Sequence, residues 1–162
     1  MKTCVFAGTF DPFSKGHEYI VDKCLETFDK VVIAIGVNVD KTPMFTLDER
    51  IEIIKSIYDD ERVEVASFTG MLTAFMKEKG IKFNVRGIRN EDDYKYENTM
   101  AKYNADMYPE MISVFIPTPN DLVYVSSTAI RNILDLHANA EKYLPEKAVE
   151  TLDKIIKAKK KK

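Results

Sequence analysis

A chain of 162 residues, 45% of them hydrophobic, suffices for one compact domain with its own core and gives no reason to expect two. Its 24 basic and 26 acidic side chains leave a net charge of -2, so no overall positive field draws it onto nucleic acid, and any anion site must be local. Apolar stretches such as Val31 to Val37 fall far short of the roughly 20 residues of a membrane span, and no basic-then-apolar leader opens the chain. The expectation is a soluble, unprocessed protein with no membrane contact.

In chain order, β-branched apolar runs predict strands at Thr3 to Phe6, Val31 to Val37, Val63 to Ala66, Phe83 to Arg86 and Ser113 to Ile116. Segments of helical period separate them. Gly16-His17 opens a helix running to Phe28. Thr46-Leu-Asp-Glu49 has the form of a capping box and predicts a helix over Thr46 to Asp59. Met71 to Lys79 reads as a third helix ended by Gly80, and Glu91 to Met107 as a longer polar one stopping before Pro109. Pro117 to Asp121 is a dense cluster of turn formers. A C-terminal helix is expected over about 145–158, with Pro145 at its first position, followed by a lysine-rich tail at Lys157 to Lys162 that reads as a solvated or frayed end. Cys4 and Cys24 fall inside regular elements at no metal or redox spacing. Buried free thiols and a reducing cytoplasm follow.

This alternation predicts an α/β fold: a single-domain, Rossmann-like, doubly wound parallel sheet of five strands with helices on both faces. Right-handed crossovers place all strand ends on one side, and open α/β sheets bind ligands at those ends. Chemistry is therefore sought immediately after each strand.

After the first strand comes Gly8-Thr-Phe-Asp-Pro-Phe-Ser-Lys-Gly-His17. The free N–H groups of the helix start, with His17 beside them, suit a phosphate; an ordinary strand-to-helix turn in which His17 caps and packs also fits. Asp11 reads either as a metal ligand or, with Pro12, as the organiser of a turn. Arg86 and Arg89 flank a glycine at the end of the fourth strand, where paired guanidinium forks suit phosphate and also suit surface ion pairs. Ser126, Ser127 and Thr128 open a helix after the fifth strand, either as a second anion site or as a simple cap.

The segment Thr9-Phe10 followed by Ser14-Lys15-Gly16-His17 resembles the T/HxGH signature of the nucleotidyltransferase superfamily. Together with Pro43-Met-Phe-Thr-Leu-Asp-Glu-Arg50, Val85-Arg-Gly-Ile-Arg89 and Val125-Ser-Ser-Thr-Ala-Ile-Arg131, it is similar to the bacterial phosphopantetheine adenylyltransferases across essentially the whole chain. Ala7 departs from a frequent proline, and Lys95 from a frequent acid.

The resemblance implies transfer of the adenylyl group of ATP to 4'-phosphopantetheine, giving dephospho-coenzyme A and pyrophosphate. By that analogy His17 donates to the α-phosphate and Thr9 holds the attacking phosphate. Lys41 and Arg86 bind the acceptor phosphate, and Leu72 lines the pantetheine pocket. Arg89, Ser126, Ser127 and Thr128 hold the β- and γ-phosphates. Phe10, Gly87, Ile88, Glu97, Leu122, Val123, Tyr124 and Val125 complete the ATP site. The resemblance further implies Mg2+ held mainly by ATP and water, a homohexamer and coenzyme A as feedback ligand. Adenylyl transfer to nicotinamide mononucleotide, cytidylyl transfer to a polyol phosphate, a nucleotide-binding regulatory module and a flavodoxin-like carrier remain the alternatives; the Arg-Gly-Ile-Arg segment argues for phosphopantetheine.

Overall fold

The computed structural model describes residues 1–162, beginning with β1 (Thr3–Gly8), α1 (Lys15–Thr27), β2 (Lys30–Gly36) and α2 (Leu47–Ile57). There follow β3 (Val63–Phe68), α3 (Leu72–Lys79), β4 (Phe83–Ile88), α4 (Glu91–Met107), β5 (Ile112–Pro117), α5 (Ser127–Asp135) and α6 (Val149–Lys160). The strands form one parallel sheet in the order β3-β2-β1-β4-β5. Successive crossovers step one way from β1 to β3, and the chain then returns to the other side of β1 with β4. The order therefore reverses between β1 and β4, the place where a doubly wound sheet opens a crevice.

Alternation along each strand explains the two layers. Cys4 and Phe6 of β1, with Val31, Ile33 and Ile35 of β2, face α1, α2, α5 and α6 in a buried cluster that includes Ile20, Val21, Ile53, Ile54, Ile130 and Leu152. Val5, Ala7, Val32 and Ala34 face the other way, against Met76 of α3, Tyr108 and Met111. The expected helices on both faces are present. Cys4 and Cys24 lie in the larger cluster as fully buried free thiols.

The capping box of α2 forms as its sequence predicts, with Thr46 accepting the Glu49 N–H and Glu49 accepting the Thr46 N–H. Gly80 ends α3 in a left-handed conformation, at a φ of 66° that costs glycine nothing.

The C-terminal helix is a correction. Pro145 opens only a single 3-10 turn over Glu146–Ala148, α6 proper begins at Val149, and it continues to Lys160. Much of the lysine-rich tail is thus helical, and Lys159 is not a solvated end: its ammonium meets the Met44 carbonyl and the Glu49 carboxylate. Helical period cannot separate a 3-10 turn from the first turn of an α-helix that follows it.

Candidate active site

The C-terminal ends of β1, β2 and β4 and the first turns of α1 and α5 surround one crevice of about 1170 Å3. Thr9, His17, Lys41, Arg86, Arg89 and the Ser126-Ser127-Thr128 segment all line it, together with Phe10, Gly87, Glu97, Leu122 and Val125. The structure does not bring Leu72, Ile88, Val123 or Tyr124 into that lining. Leu72 packs against the α3-side core, the Ile88 carbonyl accepts the Thr118 N–H, and Val123 and Tyr124 lie in the turn before α5.

His17 is held by a local exchange with Ser14. The Ser14 N–H donates to His17 Nδ1 at 3.0 Å, and the His17 N–H donates to Ser14 Oγ, a capping box built with an imidazole where a glutamate more often stands. A backbone N–H has no acceptor capacity, so Nδ1 must be the unprotonated nitrogen and Nε2 carries the proton. The ring sits among Phe6, Phe10 and Phe13, with centroids at 6.1, 4.9 and 5.2 Å. Burial, reinforced by the charges of Arg89 and Arg86, holds its pKa down at about 3. At neutral pH this residue is a neutral imidazole with one fixed N–H to offer.

Three side chains reach over from α2 and α5 to grip the carbonyls of the β1–α1 loop. Arg50 Nη1 donates to the Thr9 carbonyl at 2.9 Å, Arg131 Nη1 to that of Asp11 at 2.8 Å, and Ser127 Oγ to that of Pro12 at 2.8 Å. The Thr9–Phe10 peptide is trans, so its carbonyl and N–H point opposite ways and the Phe10 N–H faces away from Arg50. It has no partner within the protein. Phe10 itself adopts a φ of 51° with its ring buried against Gly8, where a Cβ would come within 3.0 Å of that ring. The glycine thus makes room for a phenylalanine, and Phe10 offers the crevice its backbone alone.

The helix starts add further N–H groups. Lys15 and Gly16 in α1, and Ser127 and Thr128 in α5, have first-turn N–H groups without a partner in the protein. Of the α5 hydroxyls only Ser127 spends its proton, on the Pro12 carbonyl; Ser126 accepts the Ala129 N–H and Thr128 accepts from Arg131 at 3.1 Å, so both keep an O–H to donate. This segment can therefore offer an anion two hydroxyl donors besides its backbone N–H groups and helix dipole. Of the two sequence readings the cap is formed, and it leaves first-turn N–H groups free to meet an anion.

Arg86 forms a bidentate pair with Glu97, Nε and Nη2 lying 3.0 and 2.9 Å from the two carboxylate oxygens, while Nη1 donates to the Ala7 carbonyl at 2.8 Å. A proline at position 7 would present the same carbonyl. The Glu97 side chain is only 13% exposed, and both its oxygens face Arg86, so it orients that guanidinium. Arg89 meets Asp93 at 3.3 Å and keeps 42% of its side chain exposed. The side chain of Lys41 has no partner in the protein and stands free in the loop after β2.

Asp11 is buried, and its two oxygens accept the Met44 and Phe45 N–H groups at 2.9 and 2.8 Å, tying the β1–α1 loop to the loop that carries Lys41. Of its two sequence readings, organiser of the loop is the one the geometry meets. No group of three or more His, Cys, Asp and Glu side chains converges anywhere in the chain. Arg50 and Arg131 each end one of the motif segments, with no role predicted from the sequence. Their signal was arginine on a helix beginning near a strand end, which does not distinguish a ligand contact from a brace.

Solved structures share this architecture. A putative nicotinate-nucleotide adenylyltransferase from Vibrio parahaemolyticus superimposes with a TM-score of 0.67 at 21% identity, over 94% of this chain and 99% of that one. A bifunctional NMN adenylyltransferase/ADP ribose pyrophosphatase from Francisella tularensis gives 0.68 at 20% identity, this chain spanning 44% of that longer one. The sequence model of the cytidylyltransferase-like family matches residues 5–133. Fold and crevice are those of a nucleotidyltransferase of that class.

Curated relatives narrow the assignment. Proteins named phosphopantetheine adenylyltransferase match from Cytophaga hutchinsonii, 42% identical over 90% of this chain and 98% of that protein, and from Heliobacterium modesticaldum, 36% identical over 90% and 87%. One from Clostridium perfringens is 33% identical over 96% of each chain. The chain belongs to the phosphopantetheine adenylyltransferase family.

Proposed function

We infer that the protein transfers the adenylyl group of ATP to 4'-phosphopantetheine, releasing pyrophosphate and forming dephospho-coenzyme A. The observation that carries this reading is the convergence, at the β1–β4 switch point, of a neutral His17 Nε2–H, the unpaired N–H groups of two helix starts and the cations Lys41, Arg86 and Arg89. A site made of donors and cations suits two phosphorylated substrates held end to end.

A terminal phosphate oxygen of the acceptor attacks the α-phosphorus, the new P–O bond forms as the bond to pyrophosphate breaks, and no protein nucleophile is required. Catalysis then rests on alignment and on donors aimed at the charge that builds in the transition state. His17 Nε2–H donates to the α-phosphate oxygens. Thr9 holds the attacking phosphate, and Lys41 and Arg86 receive its charge, Arg86 being held in place by Glu97. Arg89 and the N–H groups opening α5 take the β- and γ-phosphates, with Gly87, Leu122 and Val125 beside the nucleotide.

Magnesium belongs with the triphosphate in this reading. The crevice fits such an arrangement, because Asp11 commits both oxygens to backbone N–H groups, Glu97 both to Arg86 and Asp93 one to Arg89, so Asp135 is its one unpaired acid and phosphate oxygens and water would supply most of the ion's ligands. When bound, the ion would supply charge neutralisation. A cytoplasmic setting suits the two buried thiols, and no helix is long and apolar enough to cross a membrane.

A homohexamer and competition by coenzyme A complete the proposal. Support for assembly comes from α4, which has no fully buried residue, and from exposed Tyr96, Tyr103, Met107 and Ile112 on α4 and β5, since apolar surface of this kind marks contact sites. Light scattering reads the mass directly.

Pyrophosphate release from ATP and magnesium, with and without 4'-phosphopantetheine and in parallel with nicotinamide mononucleotide, tests the function. Release that requires 4'-phosphopantetheine, with an equal amount of dephospho-coenzyme A, is expected. Release with the mononucleotide alone would move the substrate assignment.

A further inference from the structure

Of the five lysines between positions 157 and 162, only Lys159 is paired. Its ammonium donates to the Met44 carbonyl at 2.6 Å, lies 2.8 Å from Glu49 Oε2 and stands 5.1 Å from the centroid of the Phe45 ring. The same stretch of backbone is held from its other side, where Asp11 accepts the Met44 and Phe45 N–H groups. Glu49 Oε2 in turn accepts the Thr46 N–H, so the ammonium also touches the capping box that starts α2. Met44 is thus pinned through its N–H from within and through its carbonyl by the last turn of α6.

Met44 lies three residues beyond Lys41. The intervening Pro43 fixes its own φ, and the Lys41 N–H donates to the Asn38 carbonyl at 3.2 Å, so little slack separates the pinned end from the free ammonium in the crevice. We propose that Lys159 is a positioning residue: the C-terminal helix, through the Met44 carbonyl, holds the loop that presents Lys41 to the phosphate of the acceptor. The inference rests on the acceptor site read above. An ion pair at a helix end ordinarily adds little stability and leaves kinetics alone. The carbonyl between Lys159 and the Lys41 loop is what ties this pair to function.

The test is steady-state kinetics on the full-length wild type, Lys159→Met, Lys159→Arg and Lys160→Met, with ATP and 4'-phosphopantetheine varied separately and folding checked by circular dichroism. Lys159→Met should raise the KM for 4'-phosphopantetheine roughly threefold to tenfold and leave the KM for ATP within about twofold. Lys159→Arg should restore most of the loss, and Lys160→Met should match the wild type. If Lys159→Met does not fold, Lys159→Gln takes its place. Unchanged kinetics, an equal rise in both KM values, or the same rise in Lys160→Met overturns the proposal, the last by tracing the effect to the charge of the tail. A wild type that uses nicotinamide mononucleotide and not 4'-phosphopantetheine sinks the substrate assignment instead, and the same split is then read on the KM for that acceptor.

Discussion

Ser14 and His17 cap each other, and the exchange decides which imidazole nitrogen faces the crevice. Because Nδ1 accepts the Ser14 N–H at 3.0 Å, the proton resides on Nε2, and the depressed pKa of about 3 keeps the ring in that neutral form. A helix cap thereby also fixes the tautomer of the residue proposed to stabilise the transition state.

Replacing His17 by alanine should lower kcat about 100- to 1,000-fold with little change in ATP affinity, as expected when a donor aimed at developing charge is lost. Equilibrium binding of ATP beside single-turnover rates separates the two effects. Near-normal turnover would remove His17 from the mechanism.

The imidazole of the free protein should not titrate near its ordinary pKa. Its folded value lies below the unfolded value of about 6.5, so its contribution to stability is complete above that pH and falls as acid drives a proton onto the unfolded chain but not onto the fold. Between pH 7.5 and 5 the wild type should therefore lose up to about 2 kcal/mol more than His17→Gln in denaturant unfolding. Proton NMR should show the ring resonance flat across the same range.

Glu97 and Arg86 give a prediction that separates two roles for the acid. If Glu97 orients Arg86, as their bidentate contact indicates, Glu97→Gln should raise the KM for the phosphorylated acceptor about tenfold and disturb ATP less. A contact with ATP would give the reverse split.

Arg50 is almost fully buried and donates to the carbonyls of Thr9 and Thr46. Arg50→Met should destabilise the fold by about 1 to 3 kcal/mol through the acceptors left unpaired, and should slow turnover as Thr9 drifts. Thermal unfolding and kcat measured on the same preparation check both effects. Lysine, with a single point charge in place of a planar fork, should recover only part of each.

Cys4 and Cys24 should be inert in the native protein. Hydrogen bonding to Cys24 and burial both push the Cys4 thiol well above its ordinary range, leaving almost no thiolate. A thiol reagent at pH 8 should modify neither cysteine until denaturant is added, when both should react.

Much of this was legible along the chain because the signals are local. The Thr46 capping box, Gly80 ending α3 and the five β-branched runs depend on neighbours within a few residues, and all stand where they were expected. Strands β1, β3, β4 and β5 ran one or two residues past their apolar runs, since ladder pairing continues through Gly8, Phe68 and Ile88 whatever side chains they carry, while β2 began one residue early at Lys30 and stopped at Gly36, one short of Val37. Pro145 misled because its fixed φ suits a 3-10 turn as well as an α-helix.

The sequence alone determined the layer order, the family and the set of cations and helix starts that gather at the strand ends, because periodicity, caps and motif spacing are short-range properties of the chain. Tertiary structure alone decided which partner each group meets there. Glu97 meeting Arg86, Arg50 and Ser127 gripping loop carbonyls, and Lys159 reaching Met44 join residues 11 to 115 positions apart, and such pairings arise only when the crossovers bring separate strand ends and helices together.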